Sequence, residues 1–446
     1  FQSTNLIITI TPLIITVLNF SLILHLYSTA IFEGNFKKAL KLKLKPVSMA
    51  VSTTFIGLIS LYSSNVLIIQ NFGLLSSVLL IVTTATTLIY LTSSPISFRK
   101  NQSTLLLSRK YIAPLKSKVS FLILPTLFSA IGLFTWTKLP ITTEATKYFL
   151  DKPEIRNSYL KLSRKYLGIP TLEIVLNLKN NSLKNIRTLE ESIGNSLTKY
   201  KAKIISPNEL VLRANKSYSG EYVLPTSNIS YMSLLSKATP FSETLFTDTY
   251  YKIVILSPPL QEKNYEEMIN NVKSLLGQKD FEYKLTGFHF LLSHAQKEMI
   301  FTLVKSFFFS LIIICIFSAI WLKSIKIFGI FFYINITPVL LSLPILYFLG
   351  GSLNIATVMT YSISLGIIVD SSFHLINDLK QKYDETRILQ QTKLPIIVSN
   401  GTLIFLFSLF YFVPFLPIRD FGLNLSILLT LGLIFDIKLL PSLLKS

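Results

Sequence analysis

The chain has 446 residues, of which 50% are hydrophobic and only 15% are charged. An ordinary soluble domain carries about 25% charged residues, so this balance argues against a soluble enzyme, and it excludes a disordered chain, which needs low hydrophobicity. The 43 Lys and Arg residues outnumber the 23 Asp and Glu residues, giving a formal net charge of +20. Such a surplus is often a sign of nucleic-acid binding, but in a membrane protein it orients the chain from its cytoplasmic loops. The single cysteine, Cys315, excludes an internal disulfide.

Nine segments are long and apolar enough to cross a bilayer, which takes about 20 mostly apolar residues. They are 5–27, 47–69, 72–92, 119–138, 299–322, 325–348, 353–377, 395–415 and 420–442. A polar region, 139–298, separates the fourth span from the fifth. The sequence therefore predicts a polytopic α-helical membrane protein with one extramembrane domain.

Basic residues are concentrated in alternate short loops. The loops after spans one, three, five and seven contain Lys37, Lys38, Lys41, Lys43, Lys45, Arg99, Lys100, Arg109, Lys110, Lys116, Lys118, Lys323, Lys326, Lys380, Lys382, Arg387 and Lys393. The other short loops together contain one basic residue, Arg419. Because basic loops remain in the cytoplasm, region 139–298 is predicted on the outer side and the C-terminus inside. Segment 99–118 mixes apolar and basic residues, as an interfacial helix or a solvated linker would.

Region 139–298 alternates strand-like and helix-like stretches. Predicted strands are 171–178, 250–257 and 281–291, predicted helices are 182–200 and 262–278, and 202–214 is predicted as one or two strands. Two strand–helix–strand units indicate an α+β domain of paired ferredoxin-like subdomains. The region contains no metal-ligand cluster, Gly-rich phosphate loop or nucleophile elbow. The sequence thus predicts neither an enzyme nor a metal or cofactor site.

Spans one to three recur as spans seven to nine, 349 residues later. His25 aligns with His374, Pro46 with Pro395, and the run at 72–80 (FGLLSSVLL) with that at 421–429 (FGLNLSILL); Thr53 likewise aligns with Thr402. Leucine matches arise by chance in so apolar a chain, whereas Phe-Gly, His, Pro and Thr matches at one offset do not. Two three-span copies in the same orientation are therefore predicted, an architecture known from transporters.

Span seven carries an acid, Asp370, well inside its apolar stretch. Inserting a charge at the bilayer centre costs at least about 2.5–3.5 kcal/mol, so such acids are functional by default. Ser362, Gly366, Asp370, His374 and Asp378 recur every four residues and share one helix face. Gly366 would let a neighbouring helix approach, and His374 could pair with the carboxylate or relay a proton. Because burial disfavours the anion, Asp370 can bind and release a proton; a carboxylate that only forms hydrogen bonds within the bundle is the alternative.

The first copy lacks this acid. Ser21 occupies the position of Asp370, so that copy offers hydrogen bonds but no titrating carboxyl group, while His25 is the counterpart of His374. Near the inner end of span nine, Asp436 and Lys438 are expected to form an interfacial pair.

Segment 286–378 resembles the second-half spans of the resistance–nodulation–division (RND) superfamily, in particular its MMPL-type predicted exporters. The pattern G-I-x-V-D-x-x-x-H at 366–374 and the paired helices that begin with Phe-Gly carry the resemblance, and 52–64 resembles the first-half counterpart. It implies that 1–98 are transmembrane helices four to six, 119–138 helix seven and 299–446 helices eight to twelve. Region 139–298 would be the second periplasmic domain, and helices one to three with the first periplasmic domain would be missing.

The resemblance implies a function for the acid. Members of the family couple proton entry to export of hydrophobic or lipid-like substrates, which makes Asp370 the protonation site, with His374, Ser21 and Thr402 as hydrogen-bond partners. The family's frequent partner acid on helix four maps to Ser21, which departs from the pattern. The implied protein lies in the bacterial inner membrane, and the proton motive force drives it without a bound cofactor.

Two other functions fit the same fold: a non-transporting lipid-sensing or scaffold protein, and an accessory of protein secretion. The expected partners are membrane lipids, a hydrophobic or lipidic substrate, periplasmic or outer-membrane proteins and further copies of the chain. Nucleic acid is not expected, because most of the basic residues outside 139–298 lie in the short inner loops.

Overall fold

The computed structural model describes residues 11–64, 67–94, 120–136, 168–178, 183–247, 249–258, 262–278, 282–381 and 385–445, with a few isolated residues between them. The chain divides into two compact units, Phe1–Ile141 with Glu298–Ser446, and Thr142–Lys297. The predicted linker 99–118 lies outside the described residues.

The first unit opens with four apolar helices. They are α1 (Thr11–Glu33), α2 (Phe36–Ile59), α3 (Leu67–Ser93) and α4 (Ser120–Trp136). A 3₁₀ turn, Ser60–Ser63, follows α2 directly.

The second unit is an α+β domain. Its elements in chain order are β1 (Ile169–Asn177), α5 (Leu183–Leu197), β2 (Lys203–Ile205), α6 (Pro207–Ser219), α7 (Asn228–Ala238), α8 (Ser242–Leu245), β3 (Tyr250–Ser257), α9 (Glu262–Gln278) and β4 (Tyr283–Thr286). The described strands form one sheet of order β2-β3-β1-β4, and every pairing is antiparallel.

The chain then returns to the first unit. It forms α10 (Phe288–Leu322), α11 (Ile325–Phe348), α12 (Ile355–Lys380), α13 (Glu385–Ile388), α14 (Leu394–Ser408), α15 (Leu416–Ile434) and α16 (Leu440–Lys445). Five-residue π-helical segments, Leu389–Lys393 and Phe435–Leu439, precede α14 and α16. A 3₁₀ turn, Leu409–Phe412, follows α14.

Eight helices in the described part of the chain are long and apolar enough to span a membrane. They correspond to eight of the nine predicted spans; the remaining one, 119–138, coincides with α4, which has 17 residues. The chain is therefore a multi-pass α-helical membrane protein. Helix α12 lies at the centre of the helical bundle, because 89% of its most apolar stretch is buried, against 28–56% for the other seven spans.

Helix α2 begins eleven residues before the predicted span, within the basic stretch that the sequence indicated as a loop. The side chain of Asn35 caps its N-terminus by accepting from the backbone N–H of Lys38, at 2.9 Å. Phe36, Ala39 and Lys43 are buried at helical spacing, while the lysines between them face outward. The segment is thus an amphipathic helix end rather than a loop.

The repeat is visible in the structure at the predicted offset. The 3₁₀ turns that end α2 and α14 occupy equivalent positions, 349 residues apart. A Cβ on Gly73 would meet Leu58 and Leu61, and a Cβ on Gly422 would meet Phe407 and Phe410, which are the equivalent residues of the second copy. The equivalent glycines thus allow the same close packing of the third helix on the second.

The two strand–helix–strand units share a single sheet, so the second unit is one ferredoxin-like fold rather than a pair. The order β2-β3-β1-β4 with α5 and α9 as crossover helices is that of a βαββαβ domain, with α6 to α8 inserted between the middle strands. Its core joins the apolar faces of the sheet and both crossover helices around side chains such as Ile174, Leu189 and Val272.

Two strand predictions in this domain were correct in position but too long. After the three residues of β2, Ser206 caps a helix by accepting from the N–H of Glu209, and Pro207 is at its first position, where proline is tolerated. Residues 207–214 therefore join α6 instead of forming a strand. The predicted strand 281–291 stops at Thr286, because Gly287, with φ +109°, turns the chain into α10.

Candidate functional site

Asp370 lies in the middle of α12, with its side chain 15% exposed. The Nε2 atom of His374, one helical turn further, is 3.4 Å from its Oδ1 atom. Among the described residues, that oxygen has no hydrogen-bond partner. A carboxylate in this position lacks the donors that normally stabilise a buried anion, so the site is suited to a group that gains and loses a proton.

The imidazole rings of His25 and His374 stack on each other. Their centroids are 4.0 Å apart and their planes differ by 4°. The two residues are equivalent in the repeat, so their contact places them at the local symmetry axis between the copies. Both side chains are buried, and within the described part of the chain neither Nδ1 atom has a hydrogen-bond partner. Two adjacent positive rings would repel each other, so this stack accommodates at most one added charge.

A small cavity of about 30 Å³ opens beside the acid. Its walls come from all three helices of the first copy, and Asp370 and His374 of the second copy close it. The other polar residues in its lining are Thr54 and Thr84. This volume is large enough for one water molecule, so the side chain of Asp370 in one copy faces a mostly apolar cavity built by the other.

Gly366 lies one turn before the acid, at a place where α12 and α2 approach each other closely. A Cβ there would come within 2.9 Å of the Thr54 Cα atom, and a Cβ on Gly57 would come equally close to the Ser362 carbonyl oxygen. The Thr54 hydroxyl donates to the Gly366 carbonyl at 3.3 Å. The paired glycines thus let the two helices touch at the backbone beside Asp370.

Two of the predicted partners do not bond to the acid. Ser21 is buried on α1, but no hydrogen bond joins it to Asp370 among the described residues. The hydroxyl of Thr402 donates to the carbonyl of Val398, four residues earlier in its own helix, at 2.8 Å. This local bond satisfies the hydroxyl. A hydrogen bond between α14 and α12 is formed instead by Asn400, whose amide donates to the Ser371 hydroxyl at 2.9 Å.

The C-terminal end of α12 carries an ion pair that the sequence did not reveal. Lys43 on α2 lies 2.5 Å from Asp378, and the side chains are only 2% and 1% exposed. Asp378 also accepts from Thr392 and from the amide of Asn377. The sequence pattern predicts Lys43 in the basic loop after span one, whereas the structure places it within α2. The signal that could have found it is its helical spacing from the buried residues Phe36 and Ala39.

A further buried acid, Asp436, lies in the π-helical segment after α15. Its side chain is 1% exposed, so the expectation of an interfacial pair with Lys438 is wrong for Asp436. Its neighbours in the segment, Phe435, Ile437 and Leu439, are all buried in the bundle. Burial of these apolar side chains places Asp436 in the interior as well.

No protein-family model matches the chain, and no curated protein sequence matches it. Among solved structures it is similar to the crystal structure of SecDF in its super-membrane-facing form, with 12% identity and a TM-score of 0.46. The similarity covers 98% of this chain and 54% of that one, so the chain spans about half the length of that structure.

Proposed function

We propose that this chain is part of a proton-driven transporter of the RND type, which exports a hydrophobic or lipid-like substrate across the bacterial inner membrane. The observation that carries the proposal is the position of Asp370, a partly buried acid of the bundle with a buried oxygen that no described donor satisfies. It lies beside the stacked histidines of the two copies and beside a cavity. The substrate class and the membrane follow from the resemblance of 366–374 to the RND pattern.

The geometry supports proton coupling through charge. With a proton, Asp370 is neutral and compatible with its apolar surroundings; without one, it is an anion that favours a nearby cation or water. His374 is the group placed to respond, since its Nε2 atom faces the carboxylate and its ring stacks on His25. A change of charge at Asp370 therefore acts directly on the contact between the two copies.

The energy available is sufficient for such a change. A proton that moves down a potential of 100 mV releases about 2.3 kcal/mol. This matches the scale of a helix rearrangement at a packed interface, where allosteric couplings are typically 1–3 kcal/mol.

The test is Asp370→Asn in the complete transporter, reconstituted in liposomes. A pH gradient is imposed, and translocation of a fluorescent acyl-lipid analogue is followed together with internal pH. We expect the variant to lose gradient-dependent flux, because asparagine keeps the size of the side chain but binds no proton.

Asp420→Asn is the matched control. Asp420 lies at the start of α15 and accepts from the Asn354 amide at 2.8 Å, away from the histidine stack, so its variant should retain flux. Wild-type flux in D370N would contradict the role of Asp370. Lipid binding by the wild type without any flux that an uncoupler abolishes would favour the non-transporting scaffold.

A further inference from the structure

Asp436 belongs to a buried polar chain of three side chains from three helices. The hydroxyl of Ser372 on α12 lies 2.6 Å from Oδ1 of Asp436 and 3.3 Å from Oδ1 of Asn335 on α11. All three side chains are at most 3% exposed. This cluster lies outside the site around Asp370, because residues 370 and 372 point about 200° apart on a helix of 3.6 residues per turn.

The orientation of Asn335 is fixed by its other hydrogen bond. Its Nδ2 atom donates to the carbonyl of Phe331 at 2.8 Å. Its oxygen is therefore the atom that faces Ser372, and this oxygen can only accept.

The chain then has one hydrogen too few if Asp436 is ionised. The Ser372 hydroxyl has a single hydrogen, but two acceptors face it. If Ser372 donates to an Asp436 anion, the oxygen of Asn335 is left without a donor in a buried position, which is costly. If Asp436 carries a proton, it donates to Ser372, Ser372 donates to Asn335, and the chain is satisfied from end to end.

The second oxygen of Asp436 supports the same assignment. Oδ2 is buried and has no hydrogen-bond partner within the described ranges. An unpaired carboxylate oxygen in the bundle interior is much more costly than the carbonyl oxygen of a neutral carboxyl group.

Among the described residues, few charged side chains face Asp436. Asp370 on α12 is the charged side chain that acts on it from a neighbouring helix, α11 contributes the uncharged Asn335, and its own segment carries the half-buried Lys438. Asp370 has the same sign as an ionised Asp436, so a charge on one acid disfavours a charge on the other. The π-helical turn that holds Asp436 is a geometry frequently found at functional sites.

We infer that Asp436 is a second intramembrane proton-binding group, whose protonated carboxyl group donates to the Ser372 hydroxyl. When Asp436 releases the proton, the Ser372 hydroxyl turns and donates to the Asp436 carboxylate instead. The two acids then affect α12 on different faces. Asp370 belongs to the helix itself, and Asp436 acts on it through the hydrogen bond to Ser372. A role for Asp436 in transport rests on the function proposed above, whereas its proton binding does not.

The test is infrared difference spectroscopy of the complete protein in lipid nanodiscs, between acidic and alkaline samples. We expect the spectrum of the wild type to include two protonated carboxyl bands, one from each of these two acids, that disappear on raising pH and shift in D₂O. Asp436→Asn should remove one band, Asp370→Asn the other, and Asp420→Asn neither. Ser372→Ala should shift the frequency and the midpoint of the Asp436 band and leave the Asp370 band in place.

The outcomes separate the two proposals. A pH-dependent spectrum of D436N identical to that of the wild type would overturn the assignment of Asp436. An Asp436 band without an Asp370 band would sustain this inference and refute the proton-binding role of Asp370. Persistence of the Asp370 band in D436N shows that the variant has folded, and Asp436→Glu should restore a pH-dependent band.

Discussion

His374 has two contacts, and one of them distinguishes it from its partner in the repeat, His25. It lies next to the Asp370 carboxylate, and it stacks on His25. The aromatic stack alone would need only a flat ring. The contact with the acid needs a ring nitrogen, and only the second copy has an acid to face it, because Ser21 stands at the equivalent position.

We therefore expect His374→Phe to lower gradient-driven flux by about 10²-fold, the scale of a positioned proton-transfer group, and His25→Phe to have a much smaller effect. Both changes preserve a stacked ring. Flux measured in liposomes under an imposed pH gradient checks the difference. Equal losses would show that the pair acts as a stack and that the nitrogen facing Asp370 is immaterial.

Lys43 and Asp378 form a second residue-scale feature. Removing one member of a buried ion pair leaves an uncompensated charge and typically costs 3–5 kcal/mol. We expect Lys43→Met to lower the free energy of unfolding by about this amount. Denaturant titration in mixed micelles measures it.

The exposed Lys41, two residues away on the same helix, provides the control. Lys41→Met should leave the free energy of unfolding nearly unchanged. The double variant Lys43→Met with Asp378→Leu should be more stable than Lys43→Met alone, because it removes both charges. Strictly additive losses would show that the two side chains do not stabilise each other.

At the scale of elements, the contact of α12 with α2 depends on glycine. A Cβ on Gly366 would lie 2.9 Å from a backbone atom of Thr54, so the helices must separate to admit it. Backbone atoms cannot move aside as a flexible side chain can. The interface that carries Asp370 and His374 is thus defined by the absence of a side chain one turn away.

We expect Gly366→Ala to destabilise the bundle by about 1–3 kcal/mol, as overpacking does, and to reduce flux by displacing Asp370 from the cavity. Gly401→Ala in α14 is the matched control, because a Cβ there meets nothing within 4 Å. Unfolding in micelles and flux in liposomes give the two readouts. A Gly366→Ala protein with unchanged stability and flux would show that the helices separate at no cost.

The sequence and the structure agree on most elements where periodicity and length are clear. Spans five to nine, which are long and mostly apolar, fall on α10, α11, α12, α14 and α15, and span nine continues into α16. The disagreements occur where polar residues lie within an element. The lysines of α2 suggested a loop, and 202–214 contains enough β-branched and apolar residues to suggest strands, whereas the Ser206 cap and Pro207 start a helix.

At the scale of the whole molecule, the α+β domain has its own half-buried acid. Glu190 on α5 accepts from the Tyr251 hydroxyl at 2.6 Å and from the Asn208 amide at 3.2 Å. Burial raises the pKa of Glu190, although these hydrogen bonds lower it in part. Since the folded pKa lies above the unfolded one, the contribution of Glu190 to stability is complete below the unfolded pKa and is lost as pH rises through the folded value.

We therefore expect the stability of the domain to decrease as pH rises from the ordinary glutamate range through the raised pKa of Glu190. Glu190→Gln should remove this slope. Hydrogen exchange of the 183–278 segment in the complete chain measures it. Glu191→Gln alters the neighbouring exposed glutamate and should preserve the dependence of stability on pH. If Glu190→Gln kept this dependence too, another group would be responsible for it.

The internal repeat links individual residues to the packing of the whole bundle. The sequence alone indicated an offset of 349 residues, because both copies keep Phe-Gly, His and Pro at equivalent places. It could not indicate that the two equivalent histidines face each other, since that contact joins residues far apart along the chain. Their stacking follows from the packing of the first copy on the second around a local axis.

The sequence by itself determined the membrane class, the positions of most spans, the two copies and the acid at 370. These depend on apolar length, helical period and local chemistry, which can be read along the chain. Only the tertiary structure decided that Thr402 lies away from the acid, that Lys43 is buried against Asp378, and that Asp436 joins Ser372 and Asn335. Whether a polar side chain is buried, and what satisfies it, depends on the neighbouring helices, and no pattern within one helix specifies those neighbours.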